Sequence, residues 1–131
     1  VSKVYTLFKE HHITKTELNI FVQRKGGYLN IVDDFVIEKG DASLWIYYSN
    51  QINEDFFQKE LMEIRQSFNL LPKLIIQIEP SSLEYELSEK MAQEFCESFL
   101  NEYSDTVVED CHGNLYTPQT IFSLECDNEG I

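Results

Sequence analysis

YLNIVDDFVIEKGDASLWIYYS, residues 28–49, is the stretch on which the fold turns. Lys39-Gly40-Asp41 reverses the chain between FVIE and ASLWIYY, two runs rich in β-branched and aromatic residues that read as strands. In the second run both alternating sets are bulky, with Leu44, Ile46 and Tyr48 on one side and Trp45 and Tyr47 on the other. A half-exposed strand would carry polar side chains on one set. The pattern therefore predicts a strand near the middle of a sheet, covered on both faces, with Trp45 and Tyr47 in the core. Base stacking on Trp45 would need a basic surround, and none is encoded.

Helices and further strands follow on either side. Thr14 and Glu17 are spaced as a capping box, and the helix they open puts Leu18, Phe21 and Val22 on one face before Gly26-Gly27 stops it. The β-rich cluster in LNIFV supports a competing strand. Asn53 is expected to start a helix in which Phe57, Leu61, Ile64, Phe68 and Leu71 form one buried stripe, and Pro72 ends it. PKLIIQIEP, bounded by prolines, reads as another strand of the same sheet. Ser81 and Glu84 are spaced as a second capping box, with Ser88 as a rival start, for a helix reaching Tyr103. Ala92, Phe95, Cys96, Phe99, Leu100 and Tyr103 make its inner face, and Glu89, Glu94, Glu97 and Glu102 occupy much of the remainder. VYTLFKEHHIT mixes extended and helical signals. The expected fold is α+β: one domain over residues 1–131, with a small mixed or antiparallel sheet, two or three main helices and a short C-terminal helix.

DTVVEDCHGNLYTPQTI, residues 105–121, has the residue types of a reactive site, but each also has a structural use. Val107-Val108 and Leu115-Tyr116 form a strand and its return. Residues 111–114 tolerate the dihedrals of a tight reversal. Thr117 and Pro118 suit the cap and first position of a final helix, with Tyr116 stapled to Ile121. A Cys111–His112 dyad is disfavoured because neighbouring strand residues point oppositely. Asp110, His112 and Asn114 lack the spacing of a calcium loop, and His11-His12 lacks that of a zinc helix. No phosphate-cradling or nucleophile-elbow motif occurs. No metal, cofactor or catalytic residue is predicted.

Charge narrows the partner. Residues 1–53 carry six acids and six bases, whereas residues 54–131 carry seventeen acids and four bases, giving the whole net charge of −13. Phosphate binding needs lysine and arginine to replace counterions, so nucleic acid is excluded, and anionic membrane is excluded on the same ground. A basic protein would instead be steered toward the acidic half. Neither a leader peptide nor an apolar membrane span is expected. Three cysteines, Cys96, Cys111 and Cys126, are odd in number and predict reduced thiols in a cytoplasmic protein.

The first expectation is a protein-binding module in which Glu89, Glu94, Glu97 and Glu102 stand beside Asp105, Glu109 and Asp110, with Tyr85 or Tyr28 as an exposed aromatic contact. A second is an enzyme or small-ligand domain with a pocket made from Asp33, Asp34 and the 110–114 turn, and a third is a structural homo-oligomer. The order of elements, the acidic composition and the segments PKLIIQIEP and VVEDCHGNLYTPQTI resemble those of small bacterial toxin-immunity proteins, including the contact-dependent inhibition type. That resemblance implies a cytoplasmic, non-enzymatic inhibitor that neutralises a basic toxin or nuclease domain by stoichiometric binding.

Overall fold

The computed structural model describes residues 4–121. The elements run β1 (Tyr5–Lys9), α1 (Lys15–Arg24), β2 (Tyr28–Leu29), β3 (Phe35–Lys39), β4 (Ala42–Ser49), α2 (Gln58–Phe68), β5 (Leu74–Pro80), α3 (Tyr85–Glu102), β6 (Thr106–Glu109) and β7 (Leu115–Tyr116). Seven strands form one sheet in the order β2-β3-β4-β5-β1-β6-β7, and every pairing is antiparallel. The α+β class is as expected, and the sheet is wider than the sequence reading implied.

The extra width comes from β1, whose ambiguous sequence becomes a central strand between β5 and β6. All five of its residues are buried, including Thr6 and Lys9. Lys9 is accommodated because its ammonium donates to the Asp105 carboxylate at 2.9 Å and to the His11 carbonyl at 2.7 Å. Those polar residues hid the strand, since a lysine in a core position is rare without a partner.

Side chains alternate between two unequal cores. One face carries Tyr5 and Leu7 of β1, Phe35 and Ile37 of β3, Leu44 and Ile46 of β4, and Leu74, Ile76 and Ile78 of β5. Helices α1 and α3 pack here through Leu18, Phe21, Val22, Ala92, Phe95, Cys96, Phe99 and Leu100. Phe21 meets Phe95 and Phe99 edge-on, at centroid distances of 5.3 and 5.4 Å. The capping box of α1 is formed, with the Thr14 hydroxyl accepting from the Glu17 amide at 3.1 Å. The opposite face has a smaller cluster of Phe8, Ile64, Ile75 and Val107, to which α2 adds Phe57, Leu61 and Phe68.

Several expectations shift. α2 begins at Gln58 because residues 54–57 form turns, although Asn53 does cap the Phe56 amide at 3.1 Å. Leu71 leaves the stripe and is 51% exposed, because the left-handed Asn69 turns the chain away first. α3 starts at Tyr85, not Ser88; Glu84 is left-handed and has no side-chain cap, so the second box does not form. The expected C-terminal helix lies outside the described residues from position 122 onward. Within them, residues 117–120 form a turn and Ile121 is buried beside Tyr116 in the larger core. Cys96 is a buried free thiol, as expected. Cys111 is disulfide-bonded, which corrects the reading of three reduced thiols.

Gly27 marks where α1 hands over to the sheet edge. A Cβ there would lie 2.6 Å from the Val22 and Ile37 side chains and 2.7 Å from the Val36 carbonyl oxygen. The carbonyl belongs to a paired strand and cannot yield. Gly27→Ala is expected to cost about 1–3 kcal/mol in urea unfolding, a penalty of overpacking; an unchanged midpoint would refute this close approach.

Candidate functional site

The structure breaks up the acidic array read from the sequence. Glu89 is fully buried and accepts hydrogen bonds from the Tyr5 and Tyr85 hydroxyls, the latter at 3.0 Å. It faces inward because it falls one turn before Ala92 and Gln93 on the packed side of α3, where Tyr5 supplies a donor. Tyr85 is thereby engaged in structure. Asp110 is 4% exposed and organises the 110–114 turn, accepting from the His112 and Asn114 amides at 2.9 Å and from the Tyr116 hydroxyl at 3.0 Å. Asp105 accepts from Lys9 and from the His11 amide at 2.7 Å. Burial pushes its carboxyl up, yet these bonds outweigh burial and hold it below the ordinary aspartate value. Glu102 pairs with Arg24 at 2.7 Å.

Glu94 and Glu97 remain on the outside of α3, behind the larger core. Glu109 lies on the other side of the sheet, because it alternates with Val108, which faces that core. The eight predicted residues thus do not converge. The alternative pocket also fails to form: Asp33 and Asp34 sit in the β2–β3 loop at one edge of the sheet, while the 110–114 turn joins β6 to β7 at the other.

A different surface comes together on the smaller-core side. Val36, Trp45 and Tyr47 alternate with the residues that enter the larger core, so they share the face that α2 covers. They belong to neither core cluster. The α2 packing residues reach β1, β5, β6 and β7 through Phe8, Ile75, Val107 and Leu115, and among the described residues no helix packs over β3 and β4 on this side. Trp45 and Tyr47 are consequently half-buried, which corrects the expectation of a strand covered on both faces.

Register shows how this open face is built. Tyr28, Val36, Trp45 and Glu79 form one cross-strand row over β2, β3, β4 and β5. Tyr47, Gln77, Thr6 and Glu109 form the next over β4, β5, β1 and β6. Glu38 opposite Ser43 begins a third. None of these positions is a lysine, arginine or histidine. Both tyrosines reach diagonally to a glutamate, Tyr28 donating to Glu38 Oε1 and Tyr47 to Glu79 Oε1, each at 2.9 Å. Partial burial, Glu79 and nearby Asp34 push the Tyr47 hydroxyl up to about 12, so it stays a donor. Tyr28 is 45% exposed, and beyond it the β2–β3 loop leaves Ile31 and Val32 in solvent. Of the residues singled out from sequence, Tyr28 and Glu109 lie on this face. Glu38 and Glu79 were missed, and Trp45 and Tyr47 were read as core, because the bulky alternation that marked β4 reads the same whether a helix covers it or not.

At the far end of the face Glu109 meets α2. Burial is the main reason its carboxyl is raised to about 7, and the charges of Glu60, Asp110 and Glu63 add to it. Comparison with protein-family models, curated proteins and solved structures finds no match to this chain.

Because the folded pKa of Glu109 is raised, the folded state keeps a proton that the unfolded chain releases between the ordinary 4.5 and about 7. Its contribution to stability therefore falls as pH rises through that window. Glu109→Gln has no proton to lose. With allowance for its partial exposure, the variant is expected to gain about 1 kcal/mol over wild type between about pH 5 and pH 8 in urea unfolding. A constant difference across that range would refute the shift.

Proposed function

We propose that this protein is an acidic protein-binding module that neutralises a cationic partner, a toxin or nuclease domain, by stoichiometric binding across the open face of the sheet. One observation carries the reading. A half-buried tryptophan, two tyrosines, Glu38 and Glu79 occupy adjoining cross-strand positions on β2 to β5 that include no base, and on this side no described helix packs over β3 and β4. Aromatic side chains supply most of the affinity of protein interfaces, and charges around them set encounter rate and choice of partner. A flat face built on paired strands is also rigid, so little ordering entropy is lost on docking.

The inhibitor role rests on the resemblance to toxin-immunity proteins, and the open face supplies the surface such an inhibitor needs. Nucleic acid and anionic membrane remain unsuited to this face for the electrostatic reason already given. No described helix is long and apolar enough to cross a membrane. The cytoplasmic location that the resemblance implies loses its support from thiols, because Cys111 is disulfide-bonded. No catalytic step belongs to this reading.

The test is titration with a basic domain encoded beside this protein, followed by calorimetry and stopped-flow kinetics at low and high salt. A one-to-one complex is expected, with association slowed at least about tenfold by Glu38→Lys with Glu79→Lys. The same change at Glu94 and Glu97, behind the larger core, should alter the rate much less. An equal loss from both pairs would remove the open face as the docking site, and no complex at either salt would reject the pairing.

A further inference from the structure

We propose that the open face is an arginine-reading surface: Trp45, bracketed by Glu38 and Glu79, accepts a guanidinium group from the partner in preference to an ammonium. The inference rests on the protein-binding reading above and names the partner side chain that reading leaves undefined.

The geometry follows from the register. Glu79 stands directly opposite Trp45 on β5, a position whose Cβ lies about 5 Å away in an antiparallel pair. Glu38 is opposite Ser43, two residues before Trp45, which makes it the diagonal neighbour of Trp45 on β3, roughly 7 Å away. Trp45 thus has a glutamate position beside it on each of the two neighbouring strands. Val36 lies between Tyr28 and Trp45 in the same row and is only 2% exposed although no described helix covers it. Its cross-strand neighbours on this face are those two aromatic residues.

Hydrogen bonding fixes the carboxylates. Oε1 of Glu38 is held by Tyr28 and Oε1 of Glu79 by Tyr47, each at 2.9 Å, while Oε2 of both has no partner among the described residues. Neither glutamate is paired with a base there, although Asp33, Glu102 and Asp105 are. Two carboxylates on the strands flanking a half-buried ring, each with one oxygen that has no partner among the described residues, suit a planar cation with several donors. Guanidinium stacks on an aromatic face while its edge N–H groups reach carboxylates, and it loses its hydration more readily than ammonium does. A lysine would satisfy one carboxylate as a point charge and leave the ring poorly used.

Trp45 is the one tryptophan of the chain, so its fluorescence reports the site directly. The probes are an oligo-arginine and an oligo-lysine peptide of equal length and charge, titrated into the whole protein at fixed ionic strength. The arginine peptide is expected to change Trp45 emission saturably and to bind roughly three- to tenfold more tightly than the lysine peptide, the range of a partly desolvated cation–π contact. Glu38→Gln with Glu79→Gln should abolish that preference while residual charge attraction persists. In calorimetry, Trp45→Leu should abolish it too, with far-ultraviolet circular dichroism showing that the sheet is retained. Equal affinity for the two peptides, or a preference that survives the glutamine pair, overturns the arginine site while leaving the basic-partner reading intact. A preference that holds while the encoded basic domain fails to bind would instead sink that partner and keep the guanidinium site.

Discussion

Among the described residues three helices face a seven-stranded sheet, too few to cover both of its faces, and that shortfall governs how the described fold is laid out. Strands lie about 4.8 Å apart, so seven span roughly 29 Å, whereas a helix with its side chains is about 10 Å across. α1 and α3 together close one face. α2 alone serves the other and sits toward the β1, β5 and β6 side. What it leaves over β3 and β4 is sheet surface, and the chain fills that surface with aromatic side chains and acids.

The acidic composition acquires a different meaning once burial is known. Several carboxylates that look like surface charge are structural: Glu89 receives two tyrosine hydroxyls inside the larger core, Asp110 ties a reversal together, and Asp105 neutralises a lysine in the central strand. A buried acid with such partners is costly to orphan, so these groups serve folding and are unavailable to a partner. The carboxylates left for recognition are fewer. They include Glu38 and Glu79, whose tyrosine contacts hold one oxygen while the other has no partner among the described residues. Net charge states how strongly a basic protein is attracted; only position states where it lands.

Local rules that depend on near neighbours were readable before any fold was known. The Thr14–Glu17 box, the strand pair around Gly40, the β5 strand between prolines and the reversal at 110–114 all appear where residue chemistry placed them. Cys96 as a small buried hydrophobe was equally legible. β1 was not, because its Thr6 and Lys9 break the apolar pattern and the partner that accommodates Lys9, Asp105, is about a hundred positions away. Glu89 was misread for the same reason. Its partner Tyr5 is remote in sequence, so helical spacing alone assigned it to solvent.

The sequence by itself determined the α+β class, the local turns and caps, and an overall negative charge that favours basic partners. Periodicity and composition carry those properties because they depend on spacing along the chain and on residue count. Tertiary structure decided which acids are spent in the interior, that the 33–34 and 110–114 segments lie at opposite edges, and that Trp45 and Tyr47 look outward from a sheet face one helix cannot span. Those outcomes depend on strand order and on how far a helix reaches, and alternation along a single strand encodes neither.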